Sequence, residues 1–140
     1  MELHIKKLHL DAKVPTYAHA DDAGMDLYSF TTIIIPAGER ALVTTGIAMA
    51  IPVGYVGLIW DKSGLSNKSG LKVLGGVIDA GYRGEILVGI LNTSAETYTF
   101  TAGDKVAQLL IQAVVQPKLL IVDTLDGTVR GDGAFGSTGV

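Results

Sequence analysis

The sequence contains no cysteine. Disulfides, thiolate metal sites and a cysteine nucleophile are therefore excluded. A zinc nucleoside deaminase is excluded as well, because its His-x-Glu and Cys-x-x-Cys ligands are missing. The three histidines, His4, His9 and His19, have no metal-ligand spacing and read as ordinary surface or structural residues. There is no basic excess: the formal net charge is −3, with no basic stripe to suggest nucleic-acid binding. A polyanionic substrate would have to be held by a few local cations, backbone amides and a metal ion.

Long hydrophobic runs are missing too, although 48% of the residues are apolar. The most apolar stretch, Gly46 to Trp60, is broken by Pro52, Gly54 and Gly57. It falls short of the ~20 residues a membrane helix needs. Met1 to Leu10 alternates charged and apolar residues and lacks the core of a signal peptide. The expectation is a soluble, cytoplasmic oligomer that buries its apolar excess between subunits, with no membrane and no nucleic-acid partner.

What the sequence does have is 18 glycines among many Val, Ile and Thr residues, the composition of short strands joined by turns. Strands are expected over Leu3–Leu10, Met25–Ile35, Ala41–Ile51, Tyr55–Trp60, Glu85–Asn92, Thr97–Thr101 and Lys118–Val122. Turns are expected at Pro36-Ala37-Gly38, Pro52-Val53-Gly54 and Ala102-Gly103-Asp104. Val106–Gln116 tolerates a helix by composition, but a buried strand suits the pattern around it. Ser63–Lys68 suits one helical turn. The fold class is all-β, a jelly roll or β-sandwich. One β domain is expected over residues 1–126. Residues 127–140, rich in glycine and poor in anchors, are expected to form a mobile C-terminal tail.

Five segments stand out: Ala23-Gly24-Met25-Asp26-Leu27, Lys62-Ser63-Gly64-Leu65, Gly76 through Gly84, Gly103-Asp104-Lys105-Val106-Ala107-Gln108, and Arg130 through Gly139. Each alone has a plain reading. Asp26 after Ala-Gly suits a turn or strand end, and Lys62-Ser63-Gly64 suits a loop. Gly76–Gly84 suits a β-hairpin, and Asp104 and Lys105 suit a turn. Gln108 suits an outward strand position, and the last segment suits disorder. Together, in this order and across nearly the whole chain, they resemble the homotrimeric dUTPase family.

The resemblance implies a β jelly roll, a homotrimer with active sites shared between subunits, Mg²⁺, and dUTP as substrate. It implies hydrolysis to dUMP and pyrophosphate by water attack at the α-phosphorus. Asp79 would be the general base, a role open to a carboxylate where no cysteine or placed histidine competes. Asp26 would act on Mg²⁺ through water, as suits an ion that keeps much of its hydration shell. Lys62, Ser63, Gly64 and Gln108 would hold the phosphates. The hairpin backbone at Gly76, Val77 and Ile78 would read the uracil edge, and Tyr82 would pack on the deoxyribose. Arg83 would brace subunits. In the tail, Arg130 would grip the γ-phosphate, Phe135 would stack on uracil, and Gly136, Ser137 and Thr138 would cradle phosphate oxygens.

Two positions depart from the family pattern: Lys62 where arginine is usual, and Ala134 where glycine is usual. Lysine keeps the charge but loses arginine's planar two-bond grip. A deoxycytidine triphosphate deaminase on the same fold, and a nonenzymatic trimeric nucleotide-binding or regulatory protein, are the alternative readings.

Overall fold

The computed structural model describes residues 1–134. Ten strands and one short helix follow each other as β1 (His4–Lys7), β2 (Met25–Tyr28), β3 (Ile33–Ile35), β4 (Arg40–Ala50), β5 (Tyr55–Trp60), α1 (Ser63–Ser69), β6 (Leu71–Leu74), β7 (Val77–Ile78), β8 (Glu85–Asn92), β9 (Tyr98–Phe100) and β10 (Lys105–Ala113). They form two four-stranded antiparallel sheets, ordered β1-β4-β8-β6 and β2-β10-β5-β7, and a small β3-β9 pair. The expected jelly-roll class of fold is thereby met.

Alternation builds the core. Along β8, Ile86, Val88 and Ile90 are buried while Leu87, Gly89 and Leu91 are only half-buried, the period of two that a strand with one buried face requires. Leu27, Val43, Ile47, Val106 and Leu109 meet them from the other strands, with Phe100 and Ile35 sealing one end. The outer face of the first sheet stays apolar in places: Arg40, Ala41, Leu42, Leu74, Gly75, Leu87 and Gly89 line an open depression there.

Several sequence expectations need correction. Met25–Ile35 is two strands rather than one, because the chain leaves one sheet and joins another between them. The Ser29 hydroxyl donates to the Thr31 carbonyl at 2.6 Å, closing a local bend. Ser29 and Phe30 give their backbone N–H groups to Asp104 and Thr44 instead of continuing a ladder. Lys118–Val122 forms no strand. Its apolar side chains lie open to solvent, Ile121 at 98% exposure, and among the described residues no other strand pairs with it. A strand is defined by its partner, and this segment has none among the described residues.

Leu71–Leu74 and Val77–Ile78 are strands without a sequence signal strong enough to flag them. Ser63–Ser69 is a helix of seven residues, longer than a single turn. Val106–Gln116 resolves to a strand ending at Ala113. Among the described residues, no helix is long and apolar enough to cross a membrane.

Candidate active site

Strand register brings three of the five segments together. Gln108 on β10 pairs with Asp26 on one side and with Trp60 on the other. Residues paired across a sheet share a face, so Asp26, Gln108 and Trp60 form one row on the outer surface of the β2-β10-β5-β7 sheet. Two residues along, Leu110, Leu58 and Val77 form a second, apolar row. Lys62 follows β5 after Asp61 alone. The resulting cleft, about 390 Å³, is lined by Ala18, Asp22, Ala23, Gly24, Asp26, Trp60, Lys62, Gln108 and Leu110. That volume lies within the range of small-ligand sites.

Asp26 is the electrostatic centre. Its side chain is only 5% exposed, and two ammonium groups answer its charge. Lys62 donates to Oδ1, and Lys105 stands 2.6 Å from Oδ2, although Oδ2 has no hydrogen bond of good geometry. Burial is the largest single influence on this carboxyl and pushes its pKa up. Close contact with the Lys105 and Lys62 ammonium groups, together with their charges, outweighs burial and holds it below the ordinary 3.8. The close contact with Asp26, with its charge, correspondingly raises Lys105 above 10.5.

Lys105 is thus not the turn residue that its Gly-Asp-Lys context suggests. It opens β10, where the register with β2 shifts between Lys105 and Ala107. Such an irregularity re-aims a side chain, and simple alternation along the sequence does not foretell it. Asp104 is a turn residue as expected: its carboxylate accepts from the Thr101 N–H at 2.7 Å.

Asp61 and Trp60 were missed by sequence reasoning. The Asp61 carboxylate accepts from Val73 N and Lys72 Nζ, each at 2.6 Å, and its carbonyl accepts from Gln108 Nε2 at 2.8 Å. This strap fixes the chain on which Lys62 sits. Trp60, the only tryptophan, is 55% exposed. An outward tryptophan beside a charged cluster is an uncommon use of so large an apolar side chain. Ser63 and Gly64 begin α1 and are exposed. A β-carbon on Gly64 would meet nothing within 4 Å, so its backbone is open to close approach.

The hairpin segment lies elsewhere. Gly76 accepts from Ile59 N at 2.7 Å through its carbonyl. Its φ is +106°, and a β-carbon there would fall 2.6 Å from the Ile59 carbonyl oxygen. Only glycine fits. Since Gly76 faces β5, antiparallel alternation turns the N–H and C=O of Val77 outward, along the free edge of the sheet. Asp79 and Tyr82 close the following turn, with Tyr82 N bonded to the Asp79 carbonyl at 3.0 Å. Asp79 is exposed. The Tyr82 hydroxyl donates to the Glu85 carbonyl at 3.0 Å, which folds the ring over Gly84. Arg83 reaches the Ala80 and Tyr82 carbonyls at 2.6 and 2.7 Å and so stiffens its own hairpin.

Asp26 and the hairpin occupy opposite edge strands, β2 and β7, of a four-stranded sheet. Three strand spacings separate them, about 14 Å. Asp79 and Tyr82 do not line the Asp26 cleft. Within this chain the Asp26 cleft and the hairpin are therefore separate.

A family model for dUTPase matches residues 11–139 of the chain. The chain belongs to the dUTPase family. The deoxyuridine 5'-triphosphate nucleotidohydrolase of Thermobifida fusca is 46% identical over 142 residues, covering 99% of this chain and 79% of that protein. The one from Mycolicibacterium gilvum is 47% identical over 145 residues, covering 98% and 94%. Among solved structures, a Staphylococcus bacteriophage 80alpha dUTPase with dUpNHpp superposes with a TM-score of 0.94 at 32% identity, covering 99% of both chains. A dUTPase from phage phi11 of S. aureus, described with a coordinated structural Mg(II) ion, gives a TM-score of 0.84 at 33% identity over 89% of this chain and 98% of that one.

The segment expected to form a tail, residues 127–140, is described as far as residue 134. Arg130 Nε donates to the Gly133 carbonyl at 3.0 Å, and Gly131 and Gly133 close small turns. Phe135, Gly136, Ser137 and Thr138 lie outside the described residues. No group of three or more potential metal-ligating side chains occurs among the described residues.

Proposed function

We propose that the chain is a dUTP diphosphatase that hydrolyses dUTP to dUMP and pyrophosphate. The observation that carries this reading is the single cleft in which Asp26, Lys62 and Gln108, from three separate segments, meet beside Ser63 and Gly64. Lysine, serine hydroxyl, glutamine amide and open glycine backbone are the donors a polyphosphate requires. Family membership supplies the substrate class.

The uracil and deoxyribose are assigned to the hairpin. Val77 offers an outward N–H and C=O on an edge strand, the same donor–acceptor pairing a base would present. Cytosine carries an amino donor where uracil carries an acceptor, so a fixed backbone edge discriminates between them. Tyr82 is assigned to the sugar face, where it leaves no room for a 2′-hydroxyl.

Asp79 is assigned as general base. It takes a proton from the attacking water onto a carboxylate oxygen, the water oxygen bonds to the α-phosphorus, and the bond to the bridging oxygen of pyrophosphate breaks. Positioning and charge stabilisation do most of the work in such transfers, so a single weak base suffices. Arg130, Phe135, Gly136, Ser137 and Thr138 are assigned to a tail, residues 127–140, that closes over the phosphates and base.

The donor set fits Mg²⁺ only in company with substrate. One buried carboxylate, already answered by two lysines, does not hold a divalent ion alone. An ion that arrives on the triphosphate and keeps its waters needs no more than Asp26 in its outer shell. When bound, it neutralises charge on the phosphates and the departing pyrophosphate.

A homotrimer completes the reading. The cleft and the hairpin, half-sites on opposite edges, call for a hairpin from one subunit to face the cleft of another, with the tail of a third above them. A cytoplasmic location is consistent with the absence of cysteine. Incubating the purified protein with each deoxynucleoside triphosphate and Mg²⁺, and assaying pyrophosphate, tests the function. Release from dUTP alone is expected. Ammonia from dCTP would identify a deaminase, and binding without turnover a regulatory protein.

A further inference from the structure

Two ammonium groups share one carboxylate at Asp26. Lys62 takes Oδ1 and Lys105 takes Oδ2. The carboxylate carries one negative charge, so the trio holds a surplus positive charge. A buried carboxylate without a counter-ion is costly, but one cation in contact answers it. One of the two lysines is therefore spare.

Geometry indicates which. Lys62 stands at the head of α1, next to Ser63 and Gly64, and lines the cleft. Lys105 does not line it. Lys105 approaches from the β10 end, aimed by the register shift between Lys105 and Ala107. A bulge that points a cation at a carboxylate already paired is a feature without purpose if the pair with Lys62 is permanent. It has a purpose if that pair is broken during turnover.

We propose that Lys105 is a positioning residue that keeps Asp26 paired while Lys62 turns from Asp26 to the substrate phosphates. The inference rests on the assignment of the phosphates to Lys62. Without Lys105, a triphosphate competing for Lys62 would strip a buried carboxylate of its counter-ion. With Lys105, the exchange leaves one lysine on Asp26 and one on phosphate. Asp26 is paired before and after, the surplus positive charge is answered once phosphate arrives, and no proton or covalent bond need move.

The test is binding of a non-hydrolysable dUTP analogue without magnesium, read by calorimetry and by fluorescence of Trp60, which lines the same cleft. Lys105→Gln leaves Asp26 with Lys62 alone, so Lys62 is retained and the analogue should bind about ten-fold more weakly, the scale of one charge-assisted bond. Lys105→Arg should bind as wild type. Adding Asp26→Asn to Lys105→Gln should restore binding, since nothing then holds Lys62 back. A purely structural lysine gives no such recovery.

Unchanged binding by Lys105→Gln, or no recovery in the double variant, overturns the proposal. Lys62→Ala separates the two readings. If it binds the analogue normally, the phosphate assignment itself is wrong. If it binds weakly while Lys105→Gln does not, only the exchange is wrong. A crystal structure of the wild-type protein with the analogue provides a check that needs no variant. Lys62 on a phosphate oxygen and Lys105 on Asp26 is the expected arrangement, and Lys62 still on Asp26 overturns it.

Discussion

The amide oxygen of Gln108 lies 2.7 Å from the point where a β-carbon on Gly24 would stand, and the Gln108 Cβ and Cδ lie 3.3 Å from it. The same amide is tied on its other side, through Nε2, to the Asp61 carbonyl at 2.8 Å. A methyl on residue 24 therefore cannot be accommodated by a free swing of Gln108. Gly24→Ala should break that hydrogen bond and lower stability by about 1 kcal/mol. It should also weaken dUTP binding, because the amide leaves the cleft. Denaturant melts and KM measurements check both effects. A variant with wild-type KM would place Gln108 outside substrate binding.

The lysine pair on Asp26 makes a prediction about pH. The folded-state pKa of Asp26 is below its ordinary 3.8. Its contribution to stability is thus present above 3.8 and disappears as pH falls through the lower folded value. Lys105 runs the other way. Raised above 10.5 by Asp26, it contributes below 10.5, and the contribution is lost as pH rises through the folded value. Asp26→Asn should therefore flatten both the acid and the alkaline limbs of a Tm-against-pH curve. Limbs as steep as wild type in the variant would contradict the assignment.

Asp79 is exposed in a turn, so Asp79→Asn should leave folding untouched. It should slow hydrolysis by ~100-fold or more, the usual scale of a general base, while nucleotide binding is largely kept. Single-turnover rates and thermal melts are the measurements. Near-normal turnover would falsify the assigned role.

Tyr82 is held over its own hairpin by the hydroxyl bond to the Glu85 carbonyl. Tyr82→Ala should narrow the preference for dUTP over UTP by about ten-fold, the scale on which a filled pocket discriminates. Tyr82→Phe keeps the ring and should keep most of the preference. Competition assays with the two nucleotides decide it, and an unchanged ratio in Tyr82→Ala assigns discrimination elsewhere.

Removing residues 130–140 should leave the oligomeric state and the Tm close to the full-length values, since every buried core residue among the described residues lies before that segment. Turnover of dUTP should fall by much more, because Arg130 and the donors after it are assigned to the phosphates. Sizing, melting and activity of the shortened chain are compared. Full activity in an intact assembly would dismiss the lid.

Much of this fold could be read from local pattern. Glu85–Asn92 and Tyr55–Trp60 coincide with their expected spans because each has one clear inward face or firm turns at its ends. The split of Met25–Ile35 could not be read, since the hydroxyl-closed bend at Ser29 falls among Tyr, Phe, Thr and Ile residues that all favour strands. Val77–Ile78 is too short for any period to register.

The same boundary runs through the candidate site. Asp26, Lys62 and Gln108 were visible as motif residues, and the register of β10 with its neighbours brings them together. Lys105 was misread because its role comes from an irregular register, a tertiary property. Trp60 and Asp61 gave no signal in their own neighbourhood, since their significance depends on which strands lie beside β5.

The segment Leu119-Leu120-Ile121-Val122 has a consequence for how this protein is made. It is an uncovered, β-prone apolar run at the far end of a finished sandwich. Synthesised after all ten strands, it follows a body already able to fold and pairs with none of them among the described residues. Until something else covers it, the newborn molecule carries an adhesive strip of the kind that seeds aggregates. Lys118 and Asp123 stand at its two ends as gatekeepers of opposite charge. Neutralising both should turn a well-behaved protein into one recovered from inclusion bodies, with its finished fold unaltered.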